Sequence, residues 1–188
     1  MNIVFGIVAD GDTYPDFPGT AEGALGKPVV GPGGLVDILE TQLGLTGLRT
    51  NESVRIATYA SKARLALRSD QERFFASSFS RDPWATSRLL LDWRDQLVIG
   101  GWSFGATRSD RLADLAAIEQ EGPVLPRGMS DRLRGLLVKL ECKLGLDIES
   151  LLLLEELSDL RPQWRRLVKA VHACGVTHPK PWRRFCGA

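Results

Sequence analysis

The sequence predicts a helix-rich α/β protein: a parallel half-sheet assembled from both ends of the chain, with a large helical insertion between them. Three observations predict it. Ile3–Ala9 is a continuous apolar run, which suits a strand buried on both faces. Pro28-Val29-Val30 leads through Gly31-Pro32-Gly33-Gly34 into a helical pattern at Leu35, Ile38, Leu39 and Leu43, closed by Gly44. Near the other end, Ile148–Leu154 is short and apolar, a strand or a buried helix. Pro162 then opens a helix through Trp164, Leu167, Val168 and Val171 that stops at Gly175, before Val176-Thr177. Strand, helix and strand in that order suit a parallel crossover.

Between these ends the pattern is helical. Ile56, Ala60, Ala63 and Leu67 share one face of a helix that Ser53 can cap. Gln71–Ser80 carries Phe74, Phe75 and Phe79, the composition of a short core helix. The strongest signal is Asp82–Trp102: Asp82 is a capping acceptor, Pro83 suits the first helical position, and Gly100-Gly101 is a stop. Leu90, Trp93 and Leu97 form its apolar stripe. Arg111–Glu119 reads as a further short helix, and Ser130 caps another through Leu133, Leu137, Leu140 and Leu144. The expected division is residues 1–50 with 145–188 as the α/β core and 51–144 as the helical insertion. Residues 10–26, rich in Gly, Asp, Pro and Thr, form the kind of long connection that is usually mobile or functional.

With 188 residues and 44% of them hydrophobic, the chain can bury a core. No apolar run approaches the roughly 18 residues that span a bilayer, so no membrane role is expected. Cys142, Cys174 and Cys186 cannot all pair, which suits a reducing compartment, the cytoplasm. The net charge of +1 predicts no polyanionic partner by itself, but its distribution is uneven. Arg161, Arg165, Arg166, Lys169, Lys180, Arg183 and Arg184 crowd the C-terminal end without an acid among them. Such a run is commonly a solvated face and tail; it is also the footprint of a surface that meets phosphates.

Four stretches suggest chemistry. Gly31–Gly34 before a helix is a place where phosphates bind, through backbone N–H groups and the helix dipole. A working phosphate loop also needs Lys followed by Ser or Thr, and Leu35-Val36 stand there instead, so this is a degenerate loop with no ATP hydrolysis expected. Gly101-Trp102-Ser103-Phe104-Gly105 matches the nucleophile elbow of serine hydrolases, with Ser103 as nucleophile, His172 or His178 as base and Asp147 or Asp159 as the acid. The helical pattern before Ser103 argues against it. Glu141-Cys142-Lys143, with Pro15-Asp16 upstream, has the spacing of a metal-dependent nuclease, but Glu141 falls in a clear helix. His172, Cys174, His178 and Cys186 lack a usual zinc spacing, so no metal or cofactor is expected.

GPGGLVDILETQLGL (31–45), the Arg55…Tyr59 region, FFASSFSRDPWATSRLLLDWRDQLVIGGW (74–102) and RLADLAAIE (111–119) resemble the N-terminal region of AddB/RexB-type proteins. These are the B subunits of bacterial helicase–nucleases, of the PD-(D/E)XK nuclease family or the inactivated superfamily I helicases. The most specific part is Asp82-Pro83, Leu90, Trp93-Arg94-Asp95, Leu97 and Gly101-Trp102. The resemblance implies a RecA-like (P-loop NTPase-like) first domain with an inserted helical subdomain. It implies a role in processing double-strand DNA ends for recombinational repair, with DNA and a helicase–nuclease partner subunit as partners. Some members carry a nucleotide-binding lysine after the glycines, where this chain has Leu35, and the family's nuclease lies further towards the C-terminus. Neither ATPase nor nuclease residues carry over, so the expected role is non-catalytic. The expected DNA contacts are Arg161, Arg165, Arg166, Lys169, Arg183 and Arg184. The alternatives are a small serine α/β-hydrolase using Ser103 and a standalone interaction protein.

Overall fold

The computed structural model describes residues 1–9, 28–45, 47, 50–105, 109–142 and 145–177. Among them the fold is α/β and helix-rich, with one small parallel sheet. The expected loop over 10–26, Lys143, Leu144, His178, Lys180, Arg183, Arg184 and Cys186 lie outside the described residues. The chain divides into two compact units, residues 1–47 with 135–188, and residues 48–134.

In the first unit, β1 (Asn2–Phe5) is the central strand, flanked by β2 (Val29–Val30) and, from the far end of the chain, β3 (Ser150–Leu153). Both pairings are parallel, with Val4 opposite Val29 and Asn2 opposite Ser150. A parallel bridge between Ser150 and Thr177 continues the sheet beyond β3. β1 is shorter than the apolar run predicts. The chain leaves the strand at Gly6, whose N–H bonds the Val30 carbonyl, and turns so that Ala9 N–H reaches the Gly6 carbonyl. Ile7 and Val8 are consequently exposed. Only Ile3 and Phe5 are fully buried in β1, so the strand alternates instead of burying both faces equally.

α1 (Pro32–Gln42) follows β2 and buries Leu35, Val36 and Leu39. Its end is a Schellman stop. Gly44 takes φ +65°, Gly44 N–H bonds the Thr41 carbonyl, and Leu45 N–H bonds the Glu40 carbonyl. After β3, α7 (Pro162–Ala173) turns Trp164, Leu167, Val168 and Val171 inward. The Trp164 ring lies 5.7 Å from that of Phe5, so α7 packs on the central strand. Gly175 at φ +93° lets the chain turn back towards Thr177.

The second unit is helical. α2 (Glu52–Ser69) is capped by Asn51, whose side chain accepts from Ser53 N–H at 2.9 Å. Ser53 is therefore the recipient of the cap, not the cap, because Asn51 holds the extended backbone that capping needs. α3 (Ala76–Arg81) buries Phe79 and is preceded by the buried Phe75. α4 (Pro83–Ile99) is capped by Asp82 through Ala85 N–H at 2.9 Å, an arrangement that contributes about 1 kcal/mol. α5 (Asp110–Gln120) supplies Leu115 and Ile118, which join Ile56, Tyr59, Ala63, Phe75, Leu90 and Leu91 in one core. α6 (Met129–Glu141) carries the chain from this unit to the other. Ser130 lies inside α6 and is buried, so it does not cap it. Arg132 N–H bonds the Gly128 carbonyl, which makes Gly128 the cap residue, and the Asp131 carboxylate reaches back to Gly128 N–H at 2.9 Å.

Candidate functional site

The glycines at the end of β2 do not form a loop. Pro32 occupies the first helical position, Leu35 N–H already bonds the Gly31 carbonyl at 2.9 Å, and Gly33 and Gly34 belong to the first turn of α1. A cradle of glycines ahead of the helix start is what a phosphate loop uses, and Gly31 alone precedes it. Leu35, at the position where a phosphate-binding lysine stands in a working loop, is 0% exposed and serves the core.

The basic residues of α7 lie on its outer side. At about 100° per residue, Arg161, Arg165, Arg166 and Lys169 fall within an arc of about 140°, opposite Trp164, Leu167, Val168 and Val171. Arg161, Arg166 and Lys169 are exposed and Arg165 is half-buried, its Nε buried without a hydrogen-bonding partner. Arg183 and Arg184 lie outside the described residues.

The GWSFG stretch is not a nucleophile elbow. Leu97–Ile99 complete α4, where the elbow needs a strand, and Gly101 at φ +97° ends the helix. Ser103 is exposed and lies in the loop that follows. That loop is held by other means. Trp102 Nε1 donates to the Gly105 carbonyl at 3.0 Å, and Trp102 and Phe104 meet edge to face at 5.1 Å. Phe104 adopts φ +66°, unusual for a residue with a side chain. Its ring is contacted by two guanidinium groups, Arg94 at 5.1 Å and Arg134 at 5.0 Å from the centroid. Of the partners that the motif would give Ser103, His172 is on α7, where its Nδ1 pairs with the Val176 carbonyl at 2.9 Å, and Asp147 and Asp159 also belong to the first unit. Glu141 ends α6, in a helix and not on a strand. Among the described residues no cluster of His, Cys, Asp or Glu could hold a metal ion. None of their helices is long and apolar enough to cross a membrane.

Beneath Phe104 lies the feature that sequence reading missed. The buried stripe of α4 runs through Ser87, Leu90, Leu91, Arg94 and Val98, with Trp93 and Leu97 at its flank, so Arg94 stands where an apolar residue is the norm. It is 4% exposed and binds Asp95 Oδ1 at 2.8 Å and Asp131 Oδ1 at 2.6 Å. Arg55 from α2 grips the same Asp95 bidentately, at 2.8 and 3.0 Å, and reaches Asp131 at 3.4 Å and the Pro126 carbonyl at 3.0 Å. The Arg55 guanidinium lies against Gly128, where a Cβ would stand 2.3 Å from its Cζ, so a side chain there would push the guanidinium out of its place on Asp95. Lys62 Nζ donates to the carbonyls of Glu119, Glu121 and Pro123, closing the end of α5. With Glu119 the cluster holds three cations and three carboxylates, and its charge sums to zero. The signal in the sequence was the spacing Leu90, Arg94, Val98, a charge in the middle of an i, i+4, i+8 apolar row.

Burial opposes the charges of Asp95, Arg94 and Glu119, and the partners decide how far it is offset. Bonds from Arg55 and Arg94 overcome the burial of Asp95 and hold its carboxyl below the usual range. Asp131, Asp95 and Glu119 likewise overcome burial at Arg94 and raise its affinity for the proton. At Glu119 burial wins over Arg94 and Lys62, and the carboxyl titrates above its ordinary value. Burial, then the Glu119 charge, pushes the Tyr59 hydroxyl well above the ordinary phenol. Tyr59 Oη, Arg94 Nε and Glu119 Oε1 are all buried without a hydrogen-bonding partner. Arg94 Nε and Glu119 Oε1 approach to 3.5 Å as an ion pair only.

A carboxyl whose folded pKa is raised stabilises the fold when protonated. Its contribution is complete below the unfolded value of about 4.3 and is lost as pH rises through the folded value. Glu119→Gln removes that loss, so the variant gains stability relative to the parent as pH rises across this window. Thermal unfolding of both proteins from acid to neutral pH measures it; a difference that is constant with pH would contradict the assignment.

No family model, curated protein or solved structure matches this chain.

Proposed function

We propose that this chain is the non-catalytic N-terminal, helicase-like region of an AddB/RexB-type bacterial helicase–nuclease, a scaffold that contacts DNA while double-strand ends are processed for recombinational repair. In this reading the parallel sheet is a RecA-like half-sheet and the helices of residues 51–144 are its insertion. Its partners are single-stranded DNA or duplex ends and a second helicase–nuclease subunit, in the cytoplasm. The helical start of α1 and the buried Leu35 favour a scaffold over an ATPase.

The observation that carries the reading is α7. Its apolar face is anchored on β1 through Trp164 and Phe5, which leaves Arg161, Arg166 and Lys169 exposed on its outer side, with Arg165 half-buried between them. From Arg161 to Lys169 is about 12 Å along the helix axis, long enough to meet successive phosphates of one strand. Fluorescence anisotropy with labelled single-stranded and forked DNA, over a range of salt, tests it. Affinity falls steeply with salt, and each phosphate that a substitution leaves unneutralised takes about 0.7–0.9 from the log–log slope. Replacing Arg161, Arg165, Arg166 and Lys169 with Gln, with or without Arg183 and Arg184, weakens binding and flattens that slope. Unchanged affinity and slope in the substituted protein would remove α7 from the interface.

A further inference from the structure

The helical unit carries a groove of about 730 Å3 between the N-terminal halves of α2 and α4 and the start of α6. Nothing in the function proposed above uses it. Its floor is rigid, because Arg55 and Asp95 are locked to each other and to the ionic cluster behind them. Its walls are apolar, with Ile56 on α2, Leu91 on α4 and Met129 on α6. At its mouth Trp84 and Leu89 remain 49% and 48% exposed.

The charges at this mouth choose the occupant. Glu52 and Asp92 line the groove, and neither lies within ion-pair distance of a cation among the described residues. Asp92 Oδ2 accepts only from Gln96 Nε2, at 2.9 Å. Asp95 stays ionised at the floor. Arg55 balances Asp95, so the two carboxylates Glu52 and Asp92 face Arg88, which is, among the described residues, the one lining cation not already engaged. An anion therefore meets net repulsion, and an apolar solute gains nothing from Glu52 and Asp92. An aliphatic chain with cationic ends satisfies both, with its methylenes along Leu89, Ile56 and Met129 and an ammonium against the Trp84 face and the two carboxylates. The volume is of the order of small-molecule clefts, and the groove stays open to solvent along one side.

We propose that the Trp84 groove binds a linear aliphatic polyamine. The groove stands on residues separate from α7, so this site and the DNA reading can fail independently.

Isothermal titration of the full chain with spermidine at low ionic strength tests it. One saturable site is expected, with a change in tryptophan emission that Trp84→Ala abolishes. Glu52→Gln and Asp92→Asn each weaken binding about two- to fivefold, as exposed ion pairs do. Arg88→Ala tightens it by a similar factor, because a competing cation is gone. Circular dichroism confirms that each variant is folded. Absence of saturable binding overturns the proposal, and so does binding indifferent to Glu52 and Asp92. A lysine-containing peptide that binds at the groove where spermidine does not would also overturn it, since the occupant would then be a protein partner.

Discussion

Arg94→Leu destabilises the protein by about 3–5 kcal/mol, measured by urea or thermal unfolding. The side chain is 4% exposed and Glu119 and Asp131 are 10% and 17% exposed, so solvent screens these pairs only weakly, and losing Arg94 strands both carboxylates. Asp95 keeps Arg55, and Asp131 keeps one long contact to it at 3.4 Å and the Gly128 N–H, which together fall short of replacing a guanidinium at 2.6 Å. Arg94→Lys is the gentler probe. It retains the charge but cannot reach Asp95, Asp131 and the Phe104 ring at once, so it recovers only part of the loss. A loss below about 1 kcal/mol for Arg94→Leu would mean that the cluster relaxes around a neutral residue, as some buried ionic groups do when replaced by apolar ones.

The second large effect belongs to the sheet. Phe5→Ala costs about 3–5 kcal/mol, because Phe5 is 0% exposed at the end of the central strand and faces Trp164. Phe5→Leu retains most of the buried area and isolates the ring contact at 5.7 Å. Tryptophan emission follows the loss at Trp164 directly. If Phe5→Ala and Phe5→Leu are equally mild, α7 is held by its own apolar row and not by β1.

Local chemistry made much of this fold legible. Asp82 and Pro83 announce α4, Gly44 and Gly175 stop their helices at positive φ, and Pro162 starts α7, because each acts within a turn of its own position. Competition between neighbours was less legible. Asn51 and Gly128 took the cap positions that Ser53 and Ser130 offered, and backbone geometry, which composition does not report, decided both. The apolar run past Phe5 predicted more strand than forms, since Ile7 and Val8 turn outward. The ionic cluster was least legible. A charged residue reads as surface until its partners are known, and Arg55, Arg94, Glu119 and Asp131 come from four different helices. Phe104 gives no sign of φ +66° or of the two guanidinium groups, Arg94 and Arg134, against its ring. The outer face of α7 was visible as a run of cations, and the amphipathic period of the helix put four of them on one side.

The pairing of Asn2 with Ser150 bears on how the molecule is made. The central strand leaves the ribosome well before β3, with 148 positions separating the paired residues. Until Leu153 has been synthesised, the edge of β1 that pairs with β3 lacks its partner, while the helices of residues 48–134 close contacts over much shorter spans. Translation therefore imposes an order in which the helical unit is complete before the sheet that β1 and β3 share. The interval between them is the period in which the nascent chain is most exposed to pairing with the wrong strand.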